Sequence, residues 1–262
     1  MPSGSEGQWL LDLVKVMARL RGPEGCPWDA EQTHRTLAGP LLEETHELLE
    51  AIDADDPDAI RDELGDLLLQ VVFHAQMASD EGRWDIDDVA EGLVNKLVRR
   101  HPHVFGEVTV AGAQEVLVNW ERLKADEKDE RADVEDDIPA TLPALARAGK
   151  VQRRAAGWGF EWRSAEGALT KLREEVEELA AAEGQGADEA ERETGDVLFA
   201  TVAVARKLGV DPESALRRTT RTFAARYERM MALAIERGID MGAMTDADLL
   251  RLFREARREP ST

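Results

Sequence analysis

Two short acidic patterns hold the chemistry that this sequence can offer. Glu44-x-x-Glu47 lies in L-L-E-E-T-H-E-L-L-E-A at 41–51, and Glu63-x-x-Asp66 opens D-E-L-G-D-L-L-L-Q-V-V-F-H-A at 62–75. At about 100° per residue, Glu63, Asp66, Gln70 and His74 project as one stripe from a helix otherwise covered by Leu64, Leu67, Leu68, Leu69, Val71, Val72 and Phe73. Glu44 and Glu47 project side by side at the edge of an apolar stripe of Leu41, Leu48, Leu49 and Ile52. If the two helices pack through these apolar faces, four carboxylates meet. Crowded and partly desolvated, they must take up protons or gather a cation. All-oxygen donors suit a hard divalent ion, magnesium or manganese, with positions left for water and substrate phosphates. Taken singly, either pattern is more often a solvated helix face.

Repetition shifts that balance. L-L-E-E-T-H-E-L-L-E-A is matched by K-L-R-E-E-V-E-E-L-A-A at 171–181, and D-E-L-G-D-L-L-L by R-E-T-G-D-V-L-F at 192–199, in the same order. The elements that position these groups are helical: alternating β-branched runs and Asn-Gly hairpin turns are sparse, and long Ala-, Leu-, Glu- and Arg-rich stretches carry helical spacing. The expected fold class is all-α, as a tandem duplication. A charged run, K-A-D-E-K-D-E-R-A-D-V-E-D-D, closes at Pro139 and Pro143, and the spacing of the copies puts the boundary near residue 130, giving domains 1–130 and 131–262. In each copy a short polar loop joins the two acidic helices, which makes them antiparallel neighbours. Two such hairpins make a four-helix core, closed within one chain or across a dimer. Gly65 and Gly195 precede the aspartates at helical positions, where glycine costs roughly 1 kcal/mol against Ala, and predict a close approach by another backbone or a ligand.

Composition narrows the partners. Lys and Arg total 33 against 54 Asp and Glu, a formal net charge of -21, which repels a nucleic-acid backbone or an anionic membrane. A phosphate-bearing ligand must be small and met by local cations or metal. Cys26 is the only cysteine, which fits a reducing compartment, and neither a signal peptide nor an apolar run long enough to span a bilayer is evident. A soluble cytoplasmic protein is expected.

The duplicated E-E-x-x-E and E-x-x-D patterns, with C-P-W-D at 26–29, R-R-H-P-H-V-F at 99–105 and D-D-I-P near the linker, resemble the MazG family of nucleoside triphosphate pyrophosphohydrolases over nearly the whole chain. The resemblance implies magnesium-dependent hydrolysis of nucleoside triphosphate (NTP) to monophosphate (NMP) and pyrophosphate, by attack of a metal-activated water at the α-phosphorus, in helical domains that assemble as homodimers and serve nucleotide-pool house-cleaning. By position it implies metal ligands at Glu44, Glu47, Glu63 and Asp66 and at Glu175, Glu178, Glu193 and Asp196. Glu43 and Glu174 then accept a hydrogen bond from the attacking water or support the ligands. Lys96, Arg99 and Arg100 meet phosphates in the first copy, and Arg226 is kept in the second. Lys171 matches a nucleotide-contacting position whose first-copy counterpart is Pro40. Thr222 and Ala225 replace Lys96 and Arg99, and Ala200 and Val204 replace Gln70 and His74, which favours the first copy for turnover.

Trp28, Trp84, Trp162 and Phe253 are candidates for stacking on a base, though each is expected to pack structurally, as are His101 and His103 around Pro102. Two other readings compete. A di-iron bundle would use Glu43-x-x-His46, but the second copy has no histidine there. A non-catalytic partner-binding module would leave the glutamates as surface charge.

Overall fold

The computed structural model describes residues 7–112, 115, 116, 119, 120, 123, 134, 135 and 138–257. The chain divides into two compact units, residues 1–113 and 114–262. The boundary expected near residue 130 lies outside the described residues. All regular structure among the described residues is helical, so the fold is all-α. The first unit contains α1 (Gln8–Arg21), α2 (Pro27–Glu31), α3 (Ala38–Ala54), α4 (Pro57–Asp80), α5 (Ile86–Arg100) and α6 (Pro102–Phe105). The second contains α7 (Ala144–Gly157), α8 (Ala165–Ala181), α9 (Ala187–Lys207), α10 (Pro212–Glu236), a 3₁₀ turn at Met241–Ala243, and α11 (Asp246–Glu255).

Polar caps set where the long helices begin. The Asp56 carboxylate accepts from the backbone N–H groups of Asp58 and Ala59, both at 3.1 Å, and Pro57 supplies a first residue with no N–H to satisfy. Asp85 and Asp88 cap each other's backbone at the start of α5, and Asp211 with Pro212 opens α10. Between α3 and α4 only Asp55 and Asp56 intervene. Asp55 takes the left-handed conformation, φ 55°, that ends a helix and turns the chain back at once. The second hairpin turns through 182–186 instead, with Gly184 and Gly186 at positive φ.

Each unit is organised around one helix. α4 packs against α1, α3 and α5, and its counterpart α9 packs against α7, α8 and α10. Met17, Leu37, Val72, Phe73 and Met77 form the core of the first unit, with Leu13, Leu69 and Ile86 at its edge. The hairpin core of the second unit is smaller in side chains, Ala168, Ala203 and Val204 with Leu169 and Leu172. A separate cluster of Met230, Ala234, Leu252 and Ala256 ties α10 to α11.

The apolar circumference of α4 is not all buried: Leu64, Leu68 and Val71 are exposed, as are Leu198 and Phe199 on α9. The expectation of a close backbone approach at Gly65 and Gly195 is corrected, because a Cβ built at either meets no described atom within 4 Å. Both glycines are exposed.

Candidate metal and phosphate site

Each hairpin brings together three of the four carboxylates expected to meet. α3 and α4 converge so that one carboxylate oxygen from each of Glu44, Glu63 and Asp66 lies within 4.8 Å of the other two. α8 and α9 bring Glu175, Glu193 and Asp196 together within the same limit. Glu47 and Glu178 stand outside these triads, and their influence is electrostatic. Glu47 is among the charges acting on both Glu44 and Glu63, and Glu178 shares a hydrogen bond with Glu175. Glu43 and Glu174 are exposed beside the triads. His46 is exposed and belongs to neither, so among the described residues no iron-type Glu/His set forms around it.

The triads differ in what offsets their charge. In the first, burial raises the carboxyls of Glu44 and Glu63 above the usual range, and neighbouring carboxylates add to it: Asp66, Glu47, Glu63 and Glu43 on Glu44, and Glu47, Asp66 and Asp62 on Glu63. Glu63 Oε2 is buried with no hydrogen-bond partner. In the second, Lys171 Nζ lies 2.8 Å from Glu175 Oε1 and 3.6 Å from Glu174 Oε2. Its hydrogen bond holds the Glu175 carboxyl below the usual range, while the bond to Glu175 pushes Glu178 up. Arg192 spans Glu189 at 2.8 Å, Glu193, and Asp196 at 3.3 Å. Glu175 and Glu193 are only 7% and 4% exposed, and Glu193 Oε2 again has no partner.

A hard divalent cation fits this arrangement. Both triads offer only carboxylate oxygens, and each keeps one buried oxygen that no donor of the described protein satisfies, which costs free energy until a donor or a cation meets it.

The raised carboxyls carry a prediction with a definite sign. Because Glu44 and Glu63 hold their protons more tightly folded than unfolded, their contribution to stability is complete below the ordinary carboxylate pKa and is lost as pH rises through the raised folded value. With divalent ions chelated, Glu63→Gln should therefore match or exceed the wild-type melting temperature, by a margin that grows as pH rises from the ordinary carboxylate range through the raised folded one. A margin that stays flat over that range would remove the claim.

The expected phosphate-binding cations are distributed differently. Lys171 reaches the second triad directly. Lys96, Arg99 and Arg100 sit on the last turns of α5, which packs against α4. The Arg226 guanidinium lies 4.9 Å from the Phe253 ring centroid, in an aromatic cluster with Phe223. Of the stacking candidates, Phe253 is thus occupied in packing, Trp28 and Trp162 are exposed, and the Trp84 ring lies 6.3 Å from that of His34. His101 Nδ1 is 2.7 Å from the Leu97 carbonyl, a helix-end contact in keeping with a structural role.

Two features escaped the sequence reading. Arg192 is one, although its spacing from Glu189 and Asp196 is the signal of an ion pair on a helix face. The other is a polar relay in the first unit. Arg83 donates to His34 Nε2 at 3.2 Å, which places the His34 proton on Nδ1, and this nitrogen lies 2.7 Å from His74 Nδ1. His74 is thereby left with a buried Nε2–H that has no partner, one turn along α4 from the equally unpartnered Oε1 of Gln70. Ala200 and Val204 take these places in the second unit.

Comparison with known proteins bears on both repeats. Residues 32–105 match the MazG nucleotide pyrophosphohydrolase domain, and residues 150–222 match phosphoribosyl-ATP pyrophosphohydrolase. Over 253 residues the chain is 44% identical to the nucleoside triphosphate pyrophosphohydrolase of Escherichia coli (strain K12), covering 94% of this chain and 96% of that protein. The chain belongs to the MazG family of nucleoside triphosphate pyrophosphohydrolases. Another MazG protein, the nucleoside triphosphate pyrophosphohydrolase/pyrophosphatase of Thermotoga maritima, is 45% identical over 229 residues, or 87% of this chain and 88% of its own. Each carboxylate triad lies inside one of the two matched stretches, so both MazG-like repeats keep the acidic hairpin.

Proposed function

We propose that this chain hydrolyses nucleoside triphosphates to NMP and pyrophosphate in a reaction that requires a divalent cation, magnesium with manganese as a substitute. The observation that carries the reading is the pair of carboxylate triads, each with an orphaned buried oxygen, inside the stretches that match pyrophosphohydrolase domains. When bound, the ion offsets charge on the triphosphate and lowers the pKa of water. Glu44, Glu63 and Asp66 in the first repeat, and Glu175, Glu193 and Asp196 in the second, hold it, and Glu47 and Glu178 deepen the negative field. Glu43 and Glu174, exposed at the rim, accept a hydrogen bond from the water that attacks the α-phosphorus. A bond from that oxygen to phosphorus forms, the bond to the bridging oxygen breaks, and pyrophosphate leaves. Lys171, Lys96, Arg99, Arg100 and Arg226 are assigned to the phosphates, whose charge the acidic surface would otherwise repel.

Each repeat is assigned to one domain, with the boundary near residue 130. Exposed apolar residues of the first unit, Leu64, Leu68 and Val71 on α4 with Leu93 and Val94 on α5, supply surface suited to a second copy, so a homodimer is the assembly proposed. House-cleaning of the cytoplasmic nucleotide pool is the role proposed, and no helix among the described residues is long and apolar enough to cross a membrane. A panel of normal and modified NTPs incubated with magnesium tests the chemistry. NMP and pyrophosphate are the expected products, and NDP with phosphate would place the attack at the terminal phosphorus and overturn the proposal.

A further inference from the structure

We infer that Arg192 is a built-in competitor of the metal ion in the second repeat, so that the second triad fills at a higher ion concentration than the first. The inference rests on the metal-site reading above. Arg192 holds two of the three carboxylates that an ion would need, Glu193 and Asp196, and is anchored by Glu189 at 2.8 Å. Lys171 engages the third, Glu175, at 2.8 Å. The first repeat has Asp62 and Pro40 at the corresponding positions. Its nearby Arg61 turns to Asp58 at 2.9 Å and Asp62 at 3.1 Å. Among the described residues, no cation pairs with Glu44, Glu63 or Asp66.

A carboxylate oxygen cannot serve a guanidinium and a divalent ion at full strength together, so the ion must loosen these pairs to enter. They are displaceable: the Arg192 side chain is 57% exposed and can turn into solvent. The site nevertheless still calls for an ion, because Arg192 pairs with Glu193 through Oε1 and leaves Oε2 buried and unpartnered. Arg192 therefore supplies charge without completing coordination, and acts as a threshold on ion entry. Exposed pairs are individually weak, so releasing this set should tighten ion binding by about three- to tenfold.

Titration of the full chain with Mn²⁺ in the absence of nucleotide, read by the electron paramagnetic resonance of free Mn²⁺, tests this. Two binding steps are expected, the weaker one lost in Glu193→Gln and kept in Glu63→Gln. Arg192→Gln should strengthen the weaker step by that factor and leave the stronger one in place, while Arg192→Lys, which keeps the charge but loses the fork, should fall between. Two steps that Arg192→Gln leaves unmoved would overturn the inference alone. Absence of any Mn²⁺ binding by the wild-type chain would overturn the metal reading and the inference with it.

Discussion

Replacing Glu63 and Glu193 together by Gln is expected to lower pyrophosphate release by about a thousandfold, the effect of withdrawing about 4 kcal/mol of transition-state stabilisation. Both side chains belong to a triad and carry a buried Oε2 without a partner, and glutamine keeps the shape while removing the charge and adding an N–H donor that repels a cation. Of the single substitutions, Glu63→Gln should remove the larger share, because the first triad is not offset by an internal cation. Steady-state pyrophosphate release at saturating NTP and magnesium is the measurement. Thermal unfolding without metal is the control, since relieving carboxylate repulsion should leave the first unit no less stable. A double variant that keeps wild-type turnover would remove the triads from the chemistry.

Phe73→Ala should destabilise the first unit by about 3–5 kcal/mol, a large part of the 5–15 kcal/mol typical of a domain. The ring is 3% exposed among Met17, Leu37, Val72 and Met77. It also lies 5.5 Å from the guanidinium of Arg21, whose Nε donates to Asp80 at 2.7 Å and whose terminal nitrogen reaches the Asp29 carbonyl at 2.5 Å. Removing the ring opens a cavity and takes away the platform that lets one arginine join α1, α2 and α4. Urea unfolding should show the loss as a lower midpoint with Phe73→Ala and a much smaller change with Phe73→Leu. Equal midpoints for the two variants would mean that ring volume and stacking do not carry this core. The second repeat has Ala203 at the corresponding place, so its hairpin does not depend on such a ring.

The carboxylate triads are legible in the sequence because helical periodicity fixes the direction of each side chain, and a turn as short as Asp55–Asp56 fixes which helix it faces. Periodicity does not give radial distance. Glu44 and Glu47 share an edge of α3, yet only Glu44 enters the tight cluster. It also reports which surfaces are apolar without saying what covers them, so the exposure of Leu64, Leu68 and Val71 follows only from the fold. The His34–His74 contact joins a loop to a helix across 40 residues, and no local pattern announces it. Arg192 is a different case: its spacing is local, but a search for acidic ligands passes over the base that answers them.

The left-handed Asp55 has a consequence for ancestry. Since a turn of two residues is enough to fold α3 onto α4, every carboxylate of the first triad comes from one uninterrupted stretch of chain. Copying that stretch carries the whole triad in a single genetic step, and either copy can then acquire an arginine or lengthen its bend without altering the other.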